Sequence, residues 1–175
     1  LMTRYGEVMM PEMIIADTRR GGKRKGPAAH FTPRLLEAVE EALKREEQVI
    51  LFQNRRGFSP FLMCSDYGHV PACTNCSVSY TYHKGIGRLV CHYCGKSVRL
   101  PSECPECGSV NISTMGFGTE KIEEEIKLLF PSARVARMDQ DTVRNRGAVS
   151  DILGSFAAGD TDILIGTQMI SKGLD

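Results

Sequence analysis

Seven cysteines lie between residues 64 and 107, and six of them form pairs with two residues between the members. Thiolates at this spacing can bind one metal ion from a tight turn, and two such pairs complete the tetrahedral four-sulfur site that zinc prefers. Because the count is odd and we expect an intracellular protein, the pattern favours zinc over a disulfide framework. A closed four-sulfur site has no position for water, so we expect a structural metal. The pairs are Cys73 and Cys76, Cys91 and Cys94, and Cys104 and Cys107, with Cys64 single.

Spacing alone leaves open how the pairs combine. Residues 77–90 separate the first pair from the second, which is close to the usual zinc-ribbon spacing, but the second and third pairs could also combine. Under the first combination Cys64 joins the third pair, and Tyr67 stands where a fourth cysteine would complete the set. A phenol with a pKa of about 10 is a poor zinc ligand. We therefore expect His69 to be the fourth ligand, or the second metal to be weak or missing.

The segments that flank the cysteines alternate between amphipathic helices and short apolar strands. Thr32 followed by Pro33 is typical of a helix N-terminus, and Thr119 is expected to cap a later helix. Alternation of this kind predicts an α/β fold with a parallel sheet and right-handed crossovers. The predicted strands are 12–17, 48–53, 134–138 and 162–165, and the predicted helices are 32–46, 119–130 and 149–156, the last closed by Gly159.

Composition and charge narrow the classes of function. The sequence is 42% hydrophobic and 25% charged, as expected of a folded soluble protein. Its net charge of +1 provides no global basic field, so any contact with nucleic acid must be local. No apolar run approaches the length of a membrane span, so we expect no membrane partner. The basic run 19–26 is interpreted as a solvated linker, with phosphate contact as the alternative.

Several motifs, taken together, resemble the PriA family of primosomal replication-restart helicases in superfamily 2. They are the sequence L-F-Q-N-R-R-G-F at 51–58, the cysteine array, G-F-G-T-E-K at 116–121, R-M-D-Q-D-T at 137–142 and I-G-T-Q-M-I-S-K-G at 165–173. The similarity covers about residues 30–175. A generic zinc ribbon would not be flanked by N-R-R-G and G-T-Q-M-x-x-K-G.

The resemblance implies a 3′-to-5′ DNA helicase that binds stalled replication forks and helps to reload the replicative helicase. Its partners would be forked or single-stranded DNA and other primosome proteins, its cofactors zinc, ATP and Mg²⁺, and its location the bacterial cytoplasm. It also implies two zinc sites with nested pairs inside the second helicase lobe. Carried onto this sequence, the inner site is Cys73, Cys76, Cys91 and Cys94, and the outer site is Cys64, Cys104 and Cys107.

Residues that could contact DNA or nucleotide follow from the same motifs. Arg55 and Arg56 come after a predicted strand and could contact phosphate, although surface salt bridges are their ordinary role. Gly166, Thr167 and Gln168 come at the end of the last strand, where backbone and hydroxyl groups can meet a DNA phosphate. The resemblance places Lys172, Gly173 and Asp175 in the fifth helicase motif, which couples the nucleotide cleft to the DNA track.

Other side chains of the cysteine segment allow two interpretations. Tyr80, Tyr82 and Tyr93 could stack on exposed bases, but packing around the metal turns is the more ordinary role. His83 and His92 are expected to be polar surface residues.

The sequence has no G-x-x-x-x-G-K-[ST] motif, so a phosphate-binding P-loop is absent from it. Both ends look like cuts within a larger protein, and we expect this piece alone to hydrolyse no ATP. We expect a lead-in and linker at 1–29, lobe segments at 30–60 and 115–175, and a zinc-ribbon-like insertion at 61–114. The main alternative is a stand-alone zinc-ribbon module that binds nucleic acid or protein, and a zinc hydrolase is disfavoured because a closed site activates no water.

Overall fold

The computed structural model describes residues 11–17, 26–58, 61–143 and 147–172. Gly173, Asp175 and most of the basic run 19–26 lie outside the described residues. The expected strand at 12–17 is wrong, because residues 11–17 have no regular structure and are exposed to solvent. Apolar residues in this segment, such as Met13 and Ile15, are not covered by a neighbouring strand or helix within the described part of the chain. An apolar run of this length therefore did not suffice to specify a strand.

The other predicted helices and strands are present, with bounds shifted by at most two residues. The helices are α1 (Pro33–Lys44), α2 (Thr119–Leu129) and α3 (Ala148–Ala157), and the short 3-10 helices are Pro27–His30, Lys84–Ile86 and Ile170–Lys172. The strands are β1 (Val49–Phe52), β2 (Phe61–Cys64), β3 (Thr81–His83), β4 (Arg88–Val90), β5 (Ser97–Arg99), β6 (Ile112–Met115), β7 (Val135–Met138) and β8 (Ile163–Gly166).

The described residues on either side of Phe61–Met115 are called here the lobe. The lobe contains a parallel three-stranded sheet in the order β1, β8, β7. The central strand β8 is fully buried because helices cover both of its faces. Ile163 and Ile165 pack with α1 and α2 on one face, whereas Leu164 packs with Phe156 of α3 on the other. The predicted α/β fold with a parallel sheet is therefore confirmed.

The N-termini of the two long helices are satisfied in different ways. In α1 the Thr32 hydroxyl oxygen accepts a hydrogen bond from the Leu35 amide at 3.2 Å, as predicted. In α2 the expected cap is wrong, because Thr119 is the first helical residue and its hydroxyl donates to Asp139 at 2.6 Å. The amides of Thr119 and Glu120 instead donate to the carbonyls of Arg55 and Gly57, at 2.9 and 3.1 Å. The loop after β1 thus caps α2.

The Cys-rich region, Phe61–Met115, leaves and re-enters the lobe through a two-stranded antiparallel stem of β2 and β6. A second antiparallel sheet, β3-β4-β5, lies within it. Its small core contains Leu62, Tyr80 and Leu89 together with Cys73 and Cys91. Cysteines thus supply part of the interior of this region. None of the helices in the described part of the chain is long and apolar enough to cross a membrane.

The Cys-rich region packs against the lobe. The Phe58 amide donates to the Tyr82 carbonyl at 2.9 Å, and the Gly85 amide donates to the Glu120 carboxylate at 2.6 Å. Lys84 forms an ion pair with Glu124 of α2 at 2.6 Å. These contacts place β3 and the following 3-10 helix beside the N-terminal half of α2.

Candidate metal centres and the adjoining groove

Four tight turns with the same backbone hydrogen bonds position the cysteines. In each turn the amide of the first cysteine donates to the carbonyl five residues later, and the amide four residues later donates back to that cysteine. These bonds are 2.7 to 2.9 Å long. The fourth residue after the cysteine has a positive φ, which glycine adopts without strain. The turns begin at Cys64, Cys73, Cys91 and Cys104, and the positive-φ residues are Gly68, Ser77, Gly95 and Gly108.

The inner site brings together the sulfurs of Cys73, Cys76, Cys91 and Cys94, all within 4.8 Å of one another. The Sγ atoms of Cys73 and Cys94 are 3.6 Å apart. Four sulfurs at the usual zinc distance define a tetrahedron with an edge of about 3.8 Å, whereas a disulfide would require about 2.05 Å. All seven cysteines are free thiols. The donor set therefore fits zinc, and the structure combines the first pair with the second.

The electrostatics of the inner site indicate why a cation is needed there. Burial opposes ionisation of the Cys73 thiol, but the backbone amides of Asn75 and Cys76 and the neighbouring thiols lower its pKa to about 6. The hydrogen bond to Cys94 and burial raise the pKa of Cys76 to about 12. Without metal, the neighbouring sulfurs thus favour ionisation of Cys73 and oppose that of Cys76. A divalent ion would permit all four sulfurs to ionise, which is the form that binds zinc.

The outer site contains three sulfurs, those of Cys64, Cys104 and Cys107, within 4.8 Å of one another. The Sγ atoms of Cys64 and Cys107 are 3.7 Å apart, again close to a tetrahedral edge. Tyr67 occupies the place in its turn that a second cysteine occupies in the other three, and its side chain is 64% exposed. His69 is not part of this donor group; its backbone carbonyl accepts from the Cys64 amide. The three thiolates fit a zinc ion with one position left for another ligand.

Substitution Tyr67→Cys is expected to complete the outer site. Loss of a partner that merely orients a ligand weakens metal binding by about 10- to 100-fold, so gain of a direct thiolate should strengthen outer-site affinity by at least ~100-fold. The measurement is zinc retention against a chelator series, with the inner site as internal reference. His69→Gln is the matched control and should keep outer-site zinc at the wild-type level, because His69 is not part of the donor group. Unchanged retention in Tyr67→Cys would contradict the expectation.

A groove of about 550 Å³ lies between the carboxyl-terminal ends of β1, β7 and β8 and the Cys-rich region. The lobe contributes Asn54, Arg55, Arg56, Gln140, Thr167, Gln168 and Met169, and the Cys-rich region contributes Val78, Ser79, Thr81, His92 and Tyr93.

The chemistry of the groove is basic and polar. Two arginines and no carboxylate stand among its lining residues. The Arg56 guanidinium donates to the Gln140 side chain at 2.5 Å, and Arg55 is exposed. Tyr93 presents an 82% exposed ring. The groove therefore combines guanidinium groups, of the type that can bind phosphate, with an exposed aromatic ring.

The remaining predicted residues are placed as follows. Gly166 ends β8, and its carbonyl accepts from the Gln53 amide at 2.8 Å, so it supports the sheet and does not line the groove. Lys172 ends the last 3-10 helix. Tyr80 is buried and packs in the Cys-rich core, whereas Tyr82 is half-buried against the Phe58 ring.

The expectation for His83 is wrong, because it is buried, with 7% of its surface exposed, at the junction of the two parts. His92 is half-buried there. Burial, followed by the charges of Arg56 and His83, lowers the pKa of His92 to about 4. The sequence did not reveal this junction because His83 faces Glu120 and Asp141, which belong to the lobe. The signal available in the sequence was that both histidines, His83 and His92, lie within the cysteine segment.

Comparison with known proteins agrees with this geometry. The family described as the PriA DNA helicase Cys-rich region domain matches residues 73–99, which contain all four inner cysteines. A relative from Bacillus subtilis (strain 168), named replication restart protein PriA, is 47% identical over the whole chain. The chain belongs to the PriA family. Proteins of the same name from Haemophilus influenzae and Synechocystis are 44% and 42% identical over 79% and 95% of the chain.

The match to the PriA family covers a limited part of those proteins. The chain corresponds to 22%, 19% and 20% of the three relatives, about a fifth of their length. Within this part, the PriA family resemblance and the fold expected from it, a partial helicase lobe with an inserted zinc-binding subdomain, are confirmed. The donor sets and the family match together support zinc binding.

Proposed function

We propose that this chain is the part of a replication-restart DNA helicase in which the second RecA-like lobe and the zinc-holding region together hold single-stranded DNA. The observation that carries the proposal is the groove, where Arg55, Arg56, Thr167 and Gln168 from two strand ends meet Tyr93 from the Cys-rich region. The relatives' name supports the cellular role.

The groove suits a single strand for two physical reasons. Arginines bind backbone phosphates through charge-assisted hydrogen bonds without regard to base sequence. An exposed aromatic ring offers a stacking surface to any base. Because the net charge of the chain is only +1, this local pair of arginines is the feature that would attract the strand. Thr167, which is buried, also lines the groove.

The full-length protein is proposed to hydrolyse ATP with Mg²⁺, to move 3′ to 5′, to bind stalled forks and to assemble primosome proteins in the bacterial cytoplasm. These statements rest on the family resemblance. Since the present sequence has no P-loop, it is proposed to be inactive as an ATPase by itself. Lys172, Gly173 and Asp175 are proposed to couple the nucleotide cleft to DNA.

The zinc region is proposed to support unwinding and partner docking as one wall of the groove. The paired stem of β2 and β6 supports insertion boundaries of 61–114, between lobe segments 30–60 and 115–175, with 1–29 as the lead-in and linker. Two zinc ions are proposed, in the inner and outer sites. A stand-alone zinc module is disfavoured, because such a module has no use for a parallel sheet with helices on both faces.

Arg55→Ala and Arg56→Ala are expected to weaken binding of single-stranded DNA by the full-length protein by about tenfold each, since a hydrogen bond to a charged group contributes about 1.5–3 kcal/mol. Each should also lower the slope of log K against log salt by about 1. Fluorescence anisotropy with a labelled oligonucleotide at several salt concentrations measures both quantities.

Arg45→Ala is the matched control, because Arg45 is an exposed arginine that pairs with Glu47 away from the groove. It should leave affinity and salt slope near wild type. Equal effects of all three substitutions would show a general charge effect and would contradict a DNA site in the groove.

A further inference from the structure

A cluster of metal-binding side chains lies at the junction between the Cys-rich region and the lobe, apart from both thiolate sites. His83 ends β3, His92 lies inside the turn that begins at Cys91, and Asp141 follows β7 in the lobe. One ligand atom from each of these three residues lies within 4.8 Å of the others. The Nε2 atoms of the two histidines are 2.8 Å apart. Two imidazoles and a carboxylate from three separate segments therefore converge.

We propose that His83, His92 and Asp141 bind a third divalent metal ion, of the zinc or cobalt class, that fastens the Cys-rich region to the helicase lobe. Imidazole and carboxylate are common ligands of such ions, and three protein ligands leave a fourth position for water. This inference is independent of DNA binding, and its three ligands belong to neither thiolate set.

An unsatisfied carboxylate oxygen is the second observation that points to a cation. The Oδ2 atom of Asp141 is buried and has no hydrogen-bond partner among the described residues. It lies 3.7 Å from Nδ1 of His83, beyond hydrogen-bond distance. A buried carboxylate oxygen in this state is costly unless a cation or a donor reaches it. A metal ion beside the two histidines would supply that partner.

The distances are compatible with one ion after small side-chain rotations. Nitrogen and oxygen ligands of a tetrahedral zinc lie about 3.3 Å from one another. The 2.8 Å separation of the two Nε2 atoms is somewhat shorter, so the rings would move apart as the ion enters. One ion can use one nitrogen of each ring, and we assign Nε2 of both His83 and His92.

Glu120 would orient the first of these ligands. Its carboxylate lies 3.8 Å from Nδ1 of His83, and its other oxygen is fixed by the Gly85 amide at 2.6 Å. A carboxylate that faces the remaining nitrogen of a metal-bound histidine is the usual supporting arrangement in metal sites.

The charges near the cluster permit a cation. The carboxylates of Glu120, Asp139 and Asp141 lie near it, and the opposing charges are Arg56 and Arg137, the latter paired with Asp139 at 3.4 Å. The Arg56 guanidinium is engaged by Gln140. Without metal, the same histidines form a simple hydrogen bond, and that arrangement leaves Asp141 unsatisfied. The two states differ in metal content, which is directly measurable.

The test uses the full-length protein reconstituted with Co²⁺ and compares wild type with His83→Gln, His92→Gln and Asp141→Asn. Total cobalt is measured by mass spectrometry of the metal, and the thiolate-to-cobalt absorption band reports the sulfur sites separately. We expect each substitution to remove about one cobalt per chain while the thiolate band stays at the wild-type intensity. Tyr93→Phe, in the same turn as His92, is the matched control and should keep the full cobalt content.

Two outcomes would overturn the third site. One is wild-type cobalt content in all three variants, which would mean that the histidines form only a hydrogen bond. The other is a loss confined to His92→Gln that reduces the thiolate band in proportion, which would place the lost metal in the inner site. Asp141→Asn separates these cases from the proposal, because it lies in the lobe and alters no part of a thiolate turn.

Discussion

Substitution Cys91→Ser is expected to release the inner zinc and to unfold the Cys-rich region from Phe61 to Met115. Cys91 is completely buried, and it belongs both to the metal site and to the small core of this region. Structural zinc contributes about 10–16 kcal/mol of apparent binding energy in small zinc domains. Each buried apolar side chain of the core contributes about 1.5–3 kcal/mol. The few such side chains here, including Leu62 and Leu89, cannot replace the metal.

Zinc content and limited proteolysis of the full-length protein measure this effect. New cleavage should appear between Phe61 and Met115, and at least the inner zinc should be lost. Cys107→Ser is the control, because Cys107 is exposed and belongs to the three-sulfur outer set. It should remove at most the outer metal and leave the inner turns resistant. A Cys91→Ser protein that retained its zinc and its protease resistance would refute the role of the inner site.

Substitution Gly118→Ala is expected to weaken the contact between helix α2 and the loop after β1 that carries Arg55 and Arg56, called here the arginine loop. A methyl group at this position would overlap the backbone carbonyls of Gly57 and Arg56, which cannot rotate away as a flexible side chain could. Overpacking of this kind typically costs 1–3 kcal/mol, and a rigid backbone contact places the expected loss near the upper limit, about 3 kcal/mol. Hydrogen exchange measures this loss of stability, and the protection factors of the α2 amides should fall by about 100-fold.

Gly154→Ala provides the matched control for the same change of residue. Gly154 lies within α3, and a methyl group there would meet no atom within 4 Å. Alanine should therefore stabilise α3 by about 0.5–1 kcal/mol through helix propensity alone. Equal protection of α2 in wild type and Gly118→Ala would contradict the close packing inferred for the arginine loop.

Much of the fold followed from local patterns, because helix caps and apolar periodicity are local properties of a sequence. Thr32 and the buried run of β8 are examples. The segment 12–17 failed because an apolar run predicts a strand only if another strand is available to pair with it. The prediction that Thr119 caps α2 was wrong for a related reason: its hydroxyl donates a hydrogen bond to Asp139, which lies in a different part of the sequence.

The cysteine spacing predicted metal sites but left the combination of pairs open, and the inner donor set came from the family resemblance; the surroundings of the metal turns could not be predicted. The spacing also marked Tyr67 as the place of a missing cysteine, and the hydrogen bonds of its turn match those of the other three. Burial of His83 depends on how the Cys-rich region packs against α2, a contact between segments far apart in sequence. The groove likewise requires that packing, since its two walls come from different parts of the chain.

The loop that carries Arg55 and Arg56 is bonded on two sides. Two of its carbonyls accept hydrogen bonds from the first amides of α2, and the Phe58 amide donates to the Tyr82 carbonyl in β3. Damage to the sulfurs, for example by an oxidant, would therefore not stay local. If β3 unfolds, the loop loses the hydrogen bond from the Phe58 amide to the Tyr82 carbonyl, and the positions of Arg55 and Arg56 become less fixed. The affinity proposed for a nucleic-acid backbone would thus depend on whether the thiols are reduced or oxidised.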